Sequence, residues 1–390
     1  MIRNISDKIV FNSLKLIKHG YLKLTNYDGN VYFFGEKSEK LKVELVINRP
    51  GLTYNVIKKG SIGFAEAYMR GDFKTNNLSD LIELTAKNIN IVHKFSGFLD
   101  FPFINFLKNL LVKNTREKSK ENISKHYDLG NEFFSLWLDK TLTYSSAIFE
   151  NNHSLEEAQI NKYKKLVHLI KPKSGDKVLE IGCGWGGFAE YLGKNFDVNL
   201  DCITISKKQY EFAKKRIQKN NLNEKVNIKM LDYRDVKSKY NSIASIEMIE
   251  AVGQNYLKNY FQVIKQNLHK KGVAAVQAIT IDDKLFNRYK TKEDFIQRYI
   301  FPGGFLPSKK GLYALANNSG LKIDQYNSYG LHYSNTLIMW RKEFIKKWEV
   351  ISKQGFDLTF KRMWNFYLSY CEAGFKAKNI DLVQFSLQNK

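Results

Sequence analysis

Residues 177–188 read KVLEIGCGWGGF, and this stretch decides the fold. Its first five residues form a short, mostly apolar run of the kind that makes a buried strand. Four glycines, Gly182, Gly184, Gly186 and Gly187, then lead into a helical pattern. Glycine lets the chain turn tightly and lets a ligand approach the backbone. Strand, glycine turn and helix open a parallel βαβ unit. Working outward, the alternation repeats from about 160 to 280. Apolar runs at 178–181, 198–205, 226–230, 242–247 and 273–279 read as strands, with helical segments such as 209–219 and 256–268 between them. Strands alternating with helices predict an α/β, doubly wound, Rossmann-like sheet.

The loop admits three readings: a methyl-donor site, another nucleotide site, or a structural turn. Gly182, Gly184 and Gly187 satisfy the dinucleotide spacing GxGxxG. Glu180 with Gly182, Gly184 and Gly186 satisfies ExGxGxG, the S-adenosylmethionine pattern. A dinucleotide fold wants an acid at the end of its second strand to hold a ribose hydroxyl. Asp201 has about the right spacing but sits within the strand, which ends Ile-Thr-Ile-Ser206. That favours the methyl donor.

The rest of the 390 residues divides into an N-terminal α+β unit over 1–112, a basic linker over 113–125 and the α/β domain over 126–390. The first unit opens with a helix-like run around 9–17. Strand-like runs follow at 29–34 and 41–47, and helices at 62–69 and 78–84. It shows no catalytic constellation. Three scattered cysteines, Cys183, Cys202 and Cys371, exclude a disulfide scaffold and a CxxC zinc site, so no metal is expected and a reducing, cytoplasmic setting is. No uncharged apolar run of membrane-spanning length occurs. The net charge of +23 points to an anionic partner. No nucleic-acid recognition signature accompanies it, so an anionic membrane face is favoured over nucleic acid. Residues 89–112, with Phe95, Phe98, Phe101 and Phe103, read either as an amphipathic docking helix or as a helix covering the core.

An ordered set of motifs resembles the cyclopropane-fatty-acyl-phospholipid synthases, including the mycolic acid cyclopropane synthases and methyltransferases. The set runs His126-Tyr-Asp-Leu-Gly-Asn131, Leu142-Thr-Tyr-Ser-Ser146, the loop at 178–187, Ile203-Thr-Ile-Ser206 with Gln209, and Asp232-Tyr-Arg-Asp235. It continues through 245–253, Tyr299-Ile-Phe-Pro-Gly-Gly304, Leu306-Pro-Ser308, Tyr333 before Thr336-Leu337, and Tyr370-Cys-Glu-Ala-Gly-Phe375. The resemblance implies a class I methyltransferase domain with a smaller N-terminal domain. It implies an enzyme acting at the inner membrane face, peripheral and cytoplasmic. Such an enzyme transfers a methyl group from S-adenosylmethionine to a cis double bond of a phospholipid acyl chain, and proton loss closes a cyclopropane ring. A second copy of the chain is a candidate partner.

By the same resemblance, the methyl donor contacts Tyr144, Ser145, Leu179, Glu180, Ile181, Gly182, Cys183, Gly184, Trp185, Gly186, Thr204, Ile205, Ser206, Gln209, Tyr233 and Arg234. Bicarbonate serves the family as base, and its site falls on Ser146, Glu250, Gln277, Ile279 and Tyr333. Glu250, Gln277, Tyr333 and Cys371 are the catalytic candidates, Cys371 as a pocket-lining residue without covalent chemistry. Two positions depart from the pattern: Gln277 stands where the family has histidine, and Ser146 where it has cysteine. Glutamine donates and accepts hydrogen bonds but cannot relay a proton as histidine does. The alternative is therefore a methyl-branched or methylene product without ring closure. Read without the resemblance, Glu250 is an acid at a helix N-terminus and Tyr233 a loop aromatic. Trp364, Tyr367 and Tyr370, at helical spacing, are either core packing or walls of an acyl tunnel.

Overall fold

A computed structural model describes residues 2–89, 91, 129–150 and 154–390. Most of the 89–112 segment, the linker at 113–125 and His126, Tyr127 and Asp128 lie outside the described residues. The chain divides into two compact units: Met1–Leu111 with Thr291–Ile300 and Phe344–Asn379, and Val112–Lys290 with Phe301–Glu343 and Ile380–Lys390.

The first unit holds strands β1 (Tyr21–Thr25), β2 (Val31–Gly35), β3 (Lys42–Ile47) and β4 (Phe73–Thr75), in the order β2-β1-β3-β4. β3 alternates exposed and buried residues along its whole length, so one face packs inward and the other is solvated. Helices Leu52–Arg70 and Leu78–Lys87 cover the sheet, the second capped by the Asn77 side chain. The unit is not continuous in sequence, as the expected boundary at 112 would have it. Helix Leu358–Lys376 joins it by packing Phe366 edge-on against Phe64 (6.0 Å between centroids) and by donating from Arg362 to the Met69 carbonyl (3.1 Å). Phe295 packs on Phe366 at 4.7 Å, and Tyr299 donates to Glu66 at 3.1 Å. These late segments carry apolar faces that the small sheet needs to bury.

The second unit is built on β5 (Lys177–Ile181), β6 (Asn199–Thr204), β7 (Val226–Met230), β8 (Tyr240–Ile246), β9 (Leu268–Ile281), β10 (Leu321–Ser328) and β11 (Ile380–Asn389). Their order is β10-β11-β9-β8-β5-β6-β7. β5 to β9 run parallel, and β11 is antiparallel to both of its neighbours, β9 and β10. The order reverses at β5, next to β8, which is the place where such sheets hold ligands. One face packs on helices Leu257–Asn267 and Lys309–Asn318 through Tyr260, Phe261, Ile264 and Leu312. The other packs on helices Leu155–Ile170, Gly187–Asn195 and Lys207–Lys219 through Leu166, Phe188, Leu192 and Ala213. The five predicted strands are all present; β10 and β11 are added. No described helix is long and apolar enough to cross a membrane.

Candidate active site

The glycine loop turns as its composition predicts. Gly182, Gly184 and Gly186 all have positive φ (82°, 54° and 83°). The amides of Gly182 and Cys183 both donate to the Ile203 carbonyl at 3.0 Å, which ties the loop to the end of β6. A Cβ on Gly187 would lie 2.6 Å from the Tyr163 hydroxyl, so glycine there is a packing requirement. A Cβ on Gly184 would have no described neighbour within 4 Å. The loop is thus rigid behind and open in front. Leu179 and Ile181 are buried in the sheet core, so their side chains serve packing and only their backbone is left to face a ligand.

Around the loop, the other cofactor candidates fall into two groups. Glu180 is buried, its Oε2 has no hydrogen-bond partner among the described residues, and burial pushes its pKa up to about 7. Thr204 donates to Gln209 at 3.1 Å, Ser206 caps helix Lys207–Lys219, and half-buried Ile205 lies between them. These polar groups gather at the C-terminal ends of β5 and β6. Others are already engaged. Asp232 caps the turn Tyr233–Asp235 and holds Arg234 through two bonds of 2.9 and 2.6 Å. Tyr233 packs edge-on against Tyr260. Asp201 accepts from Tyr240 at 2.9 Å and pairs with Lys229 at 2.6 Å, so it is committed within the sheet rather than to a ribose. An open glycine cradle beside an orphaned carboxylate oxygen fits a small cationic, zwitterionic donor such as S-adenosylmethionine.

Next to the loop, two carboxylates follow β8. Glu247 accepts from Tyr333 Oη (2.6 Å), Gln277 Nε2 (2.7 Å) and the Ser146 amide (2.8 Å). Glu250 accepts the Ile279 amide through Oε1 at 2.6 Å, and its buried Oε2 has no partner among the described residues. Burial raises the pKa of both. For Glu247 the three donors and nearby Lys162 oppose the rise. For Glu250, burial and then the Glu247 charge carry it up to about 8. Glu250, carried up to about 8, therefore keeps its proton at neutral pH, and Glu247 is the carboxylate on which the donors converge. The helix carrying Glu250 has only four residues, and the side chain reaches across to β9, so the macrodipole reading does not describe it.

Every donor expected to seat bicarbonate points instead at one of these carboxylates. Ser146, Gln277 and Tyr333 serve Glu247, and Ile279 serves Glu250. Gln277 is saturated: its Nε2 also reaches the Ser146 carbonyl (3.3 Å), and its Oε1 accepts from Gln384 on β11 at 2.9 Å. Register sets that contact, since Gln277 and Gln384 are direct cross-strand partners. Below Ser145 lies Lys162, fully buried, donating to Ser145 Oγ at 2.7 Å, with burial lowering its pKa to about 7. Tyr144 sits among the rings of Phe134, Trp137, Phe301 and Trp340, with centroids 5.2 to 6.4 Å away. Trp340 also meets Tyr333 at 6.1 Å. The rings and the carboxylates thus form one continuous wall.

Cys371 lies in the first unit, on helix Leu358–Lys376, and burial with Asp294 holds its thiol well above the usual range. It is no thiolate nucleophile. Trp364 and Tyr367 on that helix are buried and pack on each other at 5.2 Å, the core reading. Sequence reading passed over Glu247, Lys162, Gln384 and Trp137. For Glu247 there was a signal: it stands three residues before Glu250 at the end of the fourth parallel strand.

Lys162→Met is expected to destabilise the chain, because it strips the carboxylates of their nearest buried cation. Removing one partner of a buried pair costs about 3–5 kcal/mol. The depressed lysine pKa offsets part of this, because the buried charge itself costs stability below about pH 7, so the loss should be smaller at pH 6 than at pH 9, and chemical denaturation would measure it. A loss larger at pH 6 than at pH 9 would show that Lys162 is not buried as described.

The sheet order, the glycine cradle at its switch point and the polar strand ends define a class I S-adenosylmethionine-dependent methyltransferase. The family described as mycolic acid cyclopropane synthetase matches residues 114–385, and a domain of unknown function matches residues 10–94. This chain belongs to the mycolic acid cyclopropane synthetase family. It is 33% identical to the tuberculostearic acid methyltransferase UfaA1 of Mycobacterium tuberculosis over 88% of this chain and 82% of that protein. It is 31% identical to the cyclopropane-fatty-acyl-phospholipid synthase of Escherichia coli, over 87% and 86%. Among solved structures, the cyclopropane synthase MmaA2 from Mycobacterium tuberculosis superposes with a TM-score of 0.65 at 27% identity, covering 69% of this chain and 97% of its own. The mycolic acid cyclopropane synthase CmaA1, solved with SAH and CTAB, gives 0.65 at 28% identity, covering 69% and 98%. The chain is thus a member of a family of S-adenosylmethionine-dependent lipid methyltransferases.

Proposed function

We propose that the chain methylates a cis double bond within a phospholipid acyl chain, and that the product stays open-chain, methylene- or methyl-branched, rather than closing a cyclopropane ring. S-adenosylmethionine supplies the electrophilic methyl group. The glycine loop with Glu180, Thr204, Ser206 and Gln209 would hold it, and the aromatic wall of Tyr144, Trp137 and Trp340 would exclude water and face the cation that alkylation leaves on the acyl chain.

The observation that carries the open-chain reading is Gln277. Ring closure and migration of a neighbouring hydride compete for the same cation, and ring closure wins only if the new methyl group loses its proton first. A glutamine saturated by Glu247, Ser146 and Gln384 neither takes nor relays that proton. The cation then lives longer and migration is favoured. The likeness to a protein named tuberculostearic acid methyltransferase supports the same reading. Ring closure is the second reading, supported by the match at Glu250, Ile279 and Tyr333 and by the likeness to a cyclopropane synthase. The charge of +23 supports a substrate presented at an anionic bilayer face.

The test is to incubate the chain with S-adenosylmethionine and unsaturated phosphatidylglycerol vesicles and to assign the lipid product by proton NMR. Exomethylene or retained olefinic signals are expected. High-field ring-methylene signals would replace this reading with ring closure, and transfer to no lipid would reject both.

A further inference from the structure

Glu247 carries no role in the motif resemblance, yet three donors converge on its carboxylate and take the place that water would hold outside a protein. It follows β8 at the C-terminal edge of the sheet, beside the glycine loop, where a Cβ on Gly182 would lie 2.7 Å from the next side chain, Met248. Its backbone is left-handed, with φ of 49°. That conformation costs a non-glycine residue roughly 1–2 kcal/mol, and strain of this kind collects at functional positions. Glycine would remove the strain and lose only the carboxylate. The carboxylate is what Tyr333, Gln277 and Ser146 are arranged around.

We propose that Glu247 is the resident base of the reaction, occupying with its own carboxylate the position an external anion would otherwise take. The inference rests on the functional reading above. The π electrons of the acyl double bond form the new carbon–carbon bond to the donated methyl, and the electrons of the broken carbon–sulfur bond stay on sulfur. A neighbouring hydride migrates with its electron pair to the cation left on the acyl chain, and the rearranged cation, now on the methyl-bearing carbon, then loses one proton of that methyl group to leave the methylene. That proton moves to a Glu247 oxygen, and the C–H electron pair fills the cation. Glu247 becomes the neutral acid and returns its proton to solvent between turnovers. No further reactant is needed. Glu250 does not compete for this role, because burial and the Glu247 charge push its pKa up to about 8 and it holds its own proton at neutral pH. Tyr333 links the base to the aromatic wall through Trp340, so the group that takes the proton adjoins the rings that face the charge.

The test uses the full chain, Glu247→Gln, Glu247→Gly, and vesicles of dioleoylphosphatidylglycerol with S-adenosylmethionine in buffer stripped of carbon dioxide. The wild type is expected to transfer methyl groups at the same rate with and without added bicarbonate. Glu247→Gln should still bind S-adenosylmethionine by calorimetry and lose roughly 100-fold in rate, within the range of a positioned general base. Glu247→Gly should lose as much and regain at least tenfold with bicarbonate or formate, which fit the vacated position. Carbon-13 NMR of labelled bicarbonate should show saturable binding to Glu247→Gly and none to the wild type, a readout independent of turnover. A wild-type rate that requires bicarbonate, bicarbonate bound to the wild type, or a Glu247→Gln chain above a tenth of the wild-type rate would overturn the proposal. A wild type that methylates no unsaturated lipid is a different failure, that of the functional reading itself.

Discussion

A Gly184→Val chain is expected to fold and to bind S-adenosylmethionine roughly 100-fold more weakly, a loss of about 2.7 kcal/mol. Gly184 stands at the open side of the loop, where an added Cβ would meet no described atom within 4 Å. A side chain there would not disturb the protein behind it; it would project into the space the donor needs. The valine must also hold a φ of 54°, and strain of roughly 1–3 kcal/mol should lower the melting midpoint by a few degrees. Gly182 and Gly187 would not give the same information, since a Cβ at either would press on Met248 or Tyr163 at 2.7 and 2.6 Å and test folding instead. Calorimetric titration of the ligand and a thermal melt of the same sample decide the matter. Undiminished affinity would remove the donor from this loop.

Glu250→Gln is expected to leave stability at pH 5 nearly unchanged and to raise it clearly at pH 9. In the folded chain the Glu250 carboxyl titrates at about 8, against an ordinary 4.5, because burial and the Glu247 charge disfavour ionisation. Between those values the native state holds a proton that the unfolded chain has released. Stability therefore falls as pH rises through the window. Glutamine keeps an acceptor for the Ile279 amide and never ionises, so its curve lacks this component. A tenfold change in proton affinity is worth about 1.4 kcal/mol, which makes the pH 9 difference one of several kcal/mol at most. Glu180, raised to about 7, and Asp294, raised to about 6, slope the same way. Lys162, lowered from 10.5 to about 7, slopes the other way above neutrality. All three are common to both chains, so the difference between two urea-denaturation series reports Glu250 together with its coupling to Glu247. Parallel curves would mean that Glu250 is ionised at neutral pH and would reopen its claim to be the base.

What could be read from the chain followed from local rules. The five parallel strands are short apolar runs between helices, and periodicity reports those well. The loop was legible because glycine is needed where φ is positive or space is lacking, as at Gly182, Gly184, Gly186 and Gly187. β10 and β11 were missed. β10, LKIDQYNS, is an edge strand with mostly exposed or half-buried residues. β11 buries Gln384 and Ser386 at its centre, and polar residues there break the apolar run that marks a strand. The division of the chain was misread for another reason: residues 291–300 and 344–379 lie far along the sequence from the sheet that their apolar faces cover.

The sequence by itself determined the kind of protein: a doubly wound sheet, a glycine cradle for a methyl donor, and a motif order that matches one family of lipid methyltransferases. It also flagged Gln277 as a chemical departure. Only the tertiary structure decided what that departure does. Cross-strand register brings Gln384 against Gln277, and chain reversal brings Ser146 and Tyr333 onto Glu247 from 101 and 86 positions away. A hydrogen-bond network of that span has no local signature, because its partners meet only after the sheet has closed around them.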